Sequence, residues 1–345
     1  PRHGQKGNAR MTMQQENIRL YQPKKREPRI AAIGGGHGLS AMLRGLKRYT
    51  KHITAIVTVA DDGGGSGMLR EDLGMLPPGD IRNCIMALAN TEPTMERLLN
   101  YRFTEGSLSG QSFGNLFLAA MNGISGSFDE AVQRMGEVLA ITGSVLPVTN
   151  QNVYLEAEFD NGSRTLGESK IFYAKKINDC RIRQVRLVPE HPQALQDSID
   201  AIRQADIIVI GPGSLYTSII PNFLVDGISE AIRSSGAVRE YILNIMTQDG
   251  ETDGYTGEDH VRALLEHAGG DVIDVCIANN APVPEKWLAP YRQEGVGPIE
   301  VDRAGIEALG VAVREFPLCR PGRYIRHDAD ALSRAILSVW REFEA

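Results

Sequence analysis

The sequence predicts an α/β fold of the Rossmann-like kind: an open, mostly parallel sheet with helices on both faces and a small antiparallel β insertion. Two observations carry this. Short apolar runs alternate with amphipathic helical stretches along most of the chain. Two of those runs end in closely spaced glycines where a strand would hand over to a helix, Arg29 to Ser40 and Asp206 to Ser218. Glycines there let the backbone turn tightly and point bare N–H groups at an anion. One such loop is a weak signal. Two in one alternating pattern point to a phosphorylated ligand held between two parts of one sheet.

The elements follow in order. Strand Ile30–Ile33 leads into a helix whose apolar face is Leu39, Met42, Leu43 and Leu46. Strand Ile53–Ala60 ends at Asp61-Asp62, and Pro77-Pro78-Gly79-Asp80 opens a helix that turns Ile81, Cys84, Ile85 and Leu88 inward, with Asp80 as its N-cap. Phe113-Gly114-Asn115 precedes the helix Leu116–Met121, and Phe128–Leu139 is amphipathic. The middle changes character: Val153–Phe159 alternates, Asn161-Gly162 is a hairpin turn, Ser163–Glu168 returns and Arg181–Val188 alternates again. This is the insertion, at about 150–190. Helix Pro192–Gln204, strands Asp206–Ile210 and Tyr241–Ile245, helix Glu258–His267 and strand Val272–Ala278 resume the α/β pattern, and a last helix carries Leu332, Ala335, Ile336 and Val339. Residues 29–345 read as a single domain. Residues 1–28, polar and basic, read as a disordered or appended arm, with Met11 or Met13 as a natural start.

Composition removes several classes. A net charge of -6 opposes nucleic-acid binding, which needs basic surface. The four cysteines (Cys84, Cys180, Cys276, Cys319) are scattered without a Cys-x-x-Cys spacing and read as reduced thiols of a cytoplasmic protein. No apolar run approaches the roughly 18 residues of a membrane span, and no hydrophobic signal segment opens the chain.

The chemistry concentrates in the loops. Gly34 and Gly36 match the first two positions of the dinucleotide fingerprint, but the third falls on Leu39. His37 could touch a phosphate, although a lone loop histidine is more often just exposed. Asp61 sits near where that fold places a ribose-binding acid. Asp61-Asp62 could hold Mg²⁺, bind ribose hydroxyls or orient a substrate hydroxyl, with Gly63 to Gly67 folding over a ligand; a solvated turn is the plainer alternative. Asp80 and Asn115 could each cap a helix or meet a ligand. Gly211–Ser218 offers N–H groups and the hydroxyls of Ser214, Tyr216 and Thr217 as a phosphate cradle, and Thr247–Thr256 is a further polar loop after a strand. There is no Gly-x-Ser-x-Gly elbow, no His-Glu-x-x-His and no His/Cys metal set. No nucleophile or general base stands out, which weighs against an enzyme.

Five motifs in order, Ile33-Gly-Gly-Gly-His-Gly-Leu-Ser40, Val57-Thr-Val-Ala-Asp-Asp-Gly-Gly64, Pro77-Pro-Gly-Asp-Ile-Arg-Asn83, Ser112-Phe-Gly-Asn115 and Ile210-Gly-Pro-Gly-Ser-Leu-Tyr-Thr-Ser218, closely resemble the bacterial gluconeogenesis factor family. That family is the cousin of 2-phospho-L-lactate transferase, and the resemblance runs from about Arg29 to the C-terminus. It implies a cytoplasmic protein that binds UDP-sugars such as UDP-glucose and UDP-N-acetylglucosamine and supports cell shape and cell-wall synthesis during growth on gluconeogenic carbon. Cell-wall regulatory proteins are the implied partners, a homo-oligomer the implied assembly, and no cofactor is required. The implied ligand contacts are Gly34, Gly35, Gly36, His37, Gly38, Leu39, Asp61, Asp62, Ser66, Asp80, Asn83, Gly114, Asn115, Gly213, Ser214, Leu215, Tyr216 and Thr217. Tyr291 and Arg326 look like the family's UDP-sugar-contacting tyrosine and arginine. An arginine fork suits a pyrophosphate and a tyrosine stacks on uracil or a sugar.

The competing class is a transferase moving a phospho-lactyl-type group from a nucleotide donor to an alcohol, with Mg²⁺ at Asp61, Asp62 or Asp80. The glycine loops suit both readings, while the wording of Asp61–Gly67 and Gly250–Thr256 favours the regulator. A dinucleotide-dependent oxidoreductase is a third option, opposed by the missing third glycine.

Overall fold

The computed structural model describes residues 26–344 except 179, 321 and 323, so the expected N-terminal arm lies, but for 26–28, outside the described residues. Strand β1 (Ile30–Gly34), buried at every position, passes through Gly35 into helix α1 (Gly36–Leu46), which buries Leu39, Met42, Leu43 and Leu46. β2 (Ile53–Val57) stops before the expected Ala60. The Thr58 N–H still reaches the Gly34 carbonyl, but beyond it the chain leaves the sheet. The glycine run that follows is not a loose loop. Gly63 caps helix α2 (Gly64–Leu73).

In α3 (Gly79–Leu88) the inward face is Ile81, Cys84, Ile85 and Leu88, but Pro78 holds the cap position and Asp80 lies in the first turn. Helix α4 (Pro93–Asn100) follows. α5 (Phe113–Gly123) is capped by Ser112, whose Oγ accepts the Asn115 N–H at 3.3 Å, so Asn115 is not the cap. Then come α6 (Phe128–Val138) and β3 (Ser144–Pro147).

The insertion is a three-stranded antiparallel sheet, ordered β5-β4-β6, of β4 (Tyr154–Phe159), β5 (Arg164–Leu166) and β6 (Ile182–Val188). Between β5 and β6 stands a helix the alternation did not predict, α7 (Glu168–Asn178), and it takes Glu168 out of the expected return strand. Arg70 of α2 fastens the insertion to the body. Its guanidinium donates to Asn152 Oδ1 at 2.5 Å and to the Val153 carbonyl, and stacks 3.7 Å from the Tyr154 ring centroid.

The second half starts with α8 (Gln196–Gln204), four residues later than expected, and β7 (Ile207–Ile210). A π-turn, Leu215–Ile219, leads to α9 (Ile220–Phe223) and α10 (Ile228–Ser234). β8 (Val238–Ile242) lies upstream of the apolar run that predicted it, because pairing with β7 begins at Val238; Leu243 and Ile245 are buried beyond the sheet. α11 (Gly257–Ala268), β9 (Val275–Asn279), α12 (Glu285–Gln293), α13 (Arg303–Ala308) and β10 (Ala312–Phe316) follow. A ribbon of β11 (Cys319–Arg320) and β12 (Arg326–His327) precedes α14 (Ala329–Glu344), which buries Leu332, Ala335, Ile336 and Val339.

The main sheet runs β10-β9-β8-β7-β1-β2-β3, and every neighbouring pair is parallel. The chain winds outward from β1 to β3, then returns through the insertion to lay β7 beside β1 and winds outward the other way. Strand order therefore reverses between β1 and β7, and the loops after them open a crevice at the carboxyl edge. Cys84, Cys276 and Cys319 are free thiols. Among the described residues no helix is long and apolar enough to cross a membrane.

One strand residue conflicts with its surroundings. Glu240 of β8 is fully buried, neither carboxylate oxygen has a hydrogen-bond partner, and burial raises its pKa well above the usual range. The folded protein keeps it protonated while the unfolded chain ionises it. The stability of the protonated form is therefore complete below the ordinary carboxylate pKa and is lost as pH rises beyond it. Glu240→Leu should remove this pH dependence and stabilise the protein at pH 8 by on the order of 1–3 kcal/mol. Guanidinium unfolding of both proteins at pH 5 and pH 8 checks it.

Candidate ligand-binding site

At the crevice the two glycine loops touch. Asn222, fully buried, donates its amide to the Gly34 carbonyl at 3.3 Å and to the Ser218 carbonyl at 2.9 Å. Asn244 donates to the Gly213 carbonyl at 2.7 Å. Gly38, in the first turn of α1, lies directly under Pro212: a Cβ there would stand 2.6 Å from the Pro212 carbonyl oxygen. Two cavities open on either side of this junction.

The larger, about 500 Å³, is lined by His37, Gly38, Pro212, Gly213, Asn244, Tyr291 and Arg326 among others. Its far wall is fixed at two points. The Tyr291 hydroxyl accepts the Ile325 N–H at 2.7 Å, and the His327 ring bonds the Leu243 carbonyl at 3.1 Å, with Arg326 between them on β12. Burial lowers the His327 pKa to about 4, so the neutral ring donates to that carbonyl. Arg326 is exposed, with no carboxylate partner among the described residues. Burial, then the charges of Arg326, Arg82 and Arg44, push the His37 imidazole below its ordinary pKa. This side of the loops is cationic.

The second cavity, about 420 Å³, is its opposite. Asp61, Asp80, Glu168, Asp249 and Glu251 line it, with Phe172 and Tyr173, and among the described residues no lysine, arginine or histidine does. Burial and neighbouring charge raise four of them, Asp61, Asp80, Glu168 and Glu251, above the ordinary carboxylate pKa. Asp80 is raised to about 6 by burial and the Asp61 charge, Glu168 to about 8 by burial and four neighbouring acids, and Glu251 to about 7 by burial. Asp61 is raised by burial as well, although Gly63 and Ser66 hydrogen-bond it. No three of the described His, Cys, Asp or Glu side chains converge on one point as a metal cage would require. Gln248 lines both cavities, and its Oε1 accepts from the Ser214 hydroxyl at 2.8 Å.

The structure thus brings together Gly36, His37, Gly38, Gly213, Ser214, Thr217, Asp61, Asp80, Tyr291 and Arg326. Other expected contacts have different partners. Asp80 accepts the Gly36 N–H, which ties α3 to the first loop in place of a cap. Asp62 Oδ1 accepts the Ser169 N–H at 2.8 Å and holds the start of α7. Ser66 Oγ accepts the Gly79 N–H at 3.1 Å, and Asn83 Oδ1 accepts from Arg82 at 2.6 Å.

Leu39 and Leu215 are core side chains, and Gly34 and Gly35 are buried behind the loop. Tyr216 is also buried, its hydroxyl 2.8 Å from that of Tyr255, so it adds nothing to a phosphate cradle. Gly114 packs against Arg82, and Asn115 is buried with its Oδ1 unpartnered; neither lines either of these two cavities.

The sequence reading missed Glu168 and Glu251. Glu251 is buried and accepts from the Leu215 and Tyr216 N–H groups and the Thr217 side chain. It therefore fills the N-terminus of the π-turn, where a phosphate was expected. The polar loop Thr247–Thr256 was the available signal for it.

A family model described as 2-phospho-L-lactate transferase CofD matches residues 30–319. The gluconeogenesis factor of Bacillus subtilis is 46% identical over 319 residues, which cover 92% of this chain and 99% of that protein. The gluconeogenesis factor of Halalkalibacterium halodurans is 46% identical over 310 residues, covering 89% and 95%. A crystal structure of a UPF0052 family member from Bacillus halodurans superposes with a TM-score of 0.86 at 45% identity, covering 90% of this chain and 99% of that one.

The contact between the loops is testable at Gly38. In an exposed helix interior glycine to alanine stabilises by about 1 kcal/mol. Here the added methyl meets Pro212, and Gly38→Ala should instead destabilise by about 1–3 kcal/mol. Urea unfolding at pH 7 gives the sign directly.

Proposed function

The chain belongs to the CofD family and, within it, to the gluconeogenesis factors, and from that premise we propose that it is a cytoplasmic regulator that binds a UDP-sugar. UDP-N-acetylglucosamine and UDP-glucose are the ligands of choice, and the output is support of cell shape and cell-wall synthesis during gluconeogenic growth through a cell-wall regulatory protein. The observation that supports this best is the cationic cavity at the strand-order reversal, where His37 and Gly38, in the first turn of α1, face Arg326.

The first turn of α1 beyond Gly36, whose N–H Asp80 takes, and a guanidinium opposite it with no carboxylate partner among the described residues form two halves of a diphosphate site. The phosphates rest on the first loop and Gly213, not on Leu215 to Thr217, where Glu251 already takes the donors. Tyr291 holds the Arg326 segment in place and offers its ring to the cavity.

The acidic cavity favours a second reading, a Mg²⁺-dependent phospho-lactyl transferase. Asp61 and Asp80 are hard oxygen donors of the kind Mg²⁺ prefers, and a cation would relieve the repulsion that raises their pKa values. Without three acids converging on a point, the donors as placed do not form a ready site.

Calorimetry should give saturable binding of at least one of the two UDP-sugars; no heat at millimolar ligand would sink the proposal. Arg326→Ala should keep the wild-type circular dichroism and lose roughly tenfold or more in affinity, the worth of a charge-assisted bidentate contact. For the second reading, incubation with Mg²⁺, a phospho-lactyl nucleotide and a deazaflavin alcohol should release no nucleoside monophosphate above background. Release that disappears in Asp61→Asn would establish the transferase instead.

A further inference from the structure

Resting on the nucleotide-sugar reading, we infer that the acidic cavity is the subsite for an uncharged, polyhydroxylated group attached beyond the second phosphate, and that Phe172 on α7 selects it. The two cavities divide along the glycine loops themselves. His37, Gly38 and Gly213 face the arginine side, Gly36 and Ser214 the acidic side, and Gln248 both. A diphosphate seated on this divide has its nucleoside on the Arg326 side and its other substituent among the acids.

Charge then sets the chemistry of that substituent. Five carboxyl groups line the acidic cavity and no basic residue among the described ones does, so a further phosphate is repelled while hydroxyl groups find acceptors. A sugar also needs an apolar wall for its C–H face. Phe172 and Tyr173 supply one, their rings edge to face at 5.2 Å.

Phe172 is also firmly placed. Gly250, at φ +75°, leaves room for the ring: a Cβ there would stand 2.3 Å from Phe172 Cδ2. Asp62 holds the N-terminal end of α7 through the Ser169 N–H, and an ion pair between Lys175 and Asp253 holds its far end to the Thr247–Thr256 loop. The side chains that hold this helix thus come from the aspartate pair after β2 and the loop after β8.

The test is calorimetry on the full chain without divalent cations, with UDP, UTP, UDP-glucose and UDP-N-acetylglucosamine as probes. Wild type should bind at least one UDP-sugar roughly tenfold or more tighter than UDP, and UTP no tighter than UDP. Phe172→Ala should bring the UDP-sugar-to-UDP ratio close to one while UDP affinity is unchanged. Arg326→Ala should weaken both probes equally and preserve the ratio.

If Phe172→Ala does not fold, Phe172→Leu keeps the apolar volume without the aromatic face and is read in the same way. A wild-type ratio near one, UTP binding tighter than UDP, or a folded Phe172 variant with the wild-type ratio overturns the subsite and leaves nucleotide binding standing. Wild type that binds neither UDP nor either UDP-sugar overturns both.

Discussion

The contact between the loops that follow β1 and β7 is the constraint on which the rest of the molecule turns. Parallel pairing of Ile30–Ile33 with Ile207–Ile210 brings two strands 177 residues apart in the chain side by side. The loops after them can then meet this closely only because Gly38 carries no side chain where it faces the Pro212 carbonyl. Gly38 under Pro212, and the buried Asn222 amide reaching carbonyls of both loops, make that junction one rigid unit. Each cavity has part of this unit as its wall. A shift of one loop would therefore deform both cavities.

The junction also separates charge. On one side burial, with the charges of Arg326, Arg82 and Arg44 added, lowers the His37 pKa, and five acids crowd the other. In a low-dielectric crevice such a gradient orients any ligand that carries charge at one end only. The second glycine loop adds an asymmetry of its own. Glu251 satisfies the Leu215 and Tyr216 N–H groups from within the protein, whereas in the first loop Asp80 takes the Gly36 N–H at the very start of α1. Loops alike in sequence are thus each met by an acid from a different segment of the chain.

The insertion is more than decoration on the sheet. Arg70 clamps its first strand, His267 of α11 accepts the Val185 N–H of its last strand at 3.1 Å, and Asp62 starts its helix. These anchors come from parts of the body that themselves adjoin the glycine loops. The helix they support carries Glu168, Phe172 and Tyr173 to the acidic cavity. A parallel sheet supplies the diphosphate edge that α/β folds share, and an inserted helix is an economical way to vary what lies beyond it.

The sequence by itself determined the α/β class, the two glycine turns and the buried faces of α1, α3 and α14, because those are set by period and by local backbone freedom. It also marked Asp61, Asp80 and Arg326 as residues to watch. Only the tertiary structure decided what they face. Helix α7 was illegible because its N-terminal hydrogen bond comes from Asp62, 107 residues upstream, and its sequence lacks a clear apolar stripe. Glu251 owes its place to N–H groups 35 residues away, and β8 owes its start to its pairing with β7 and not to its own apolar run. Local propensity acts over a few residues, whereas the partner that satisfies a buried acid or a helix end is supplied by whichever segment the topology lays beside it.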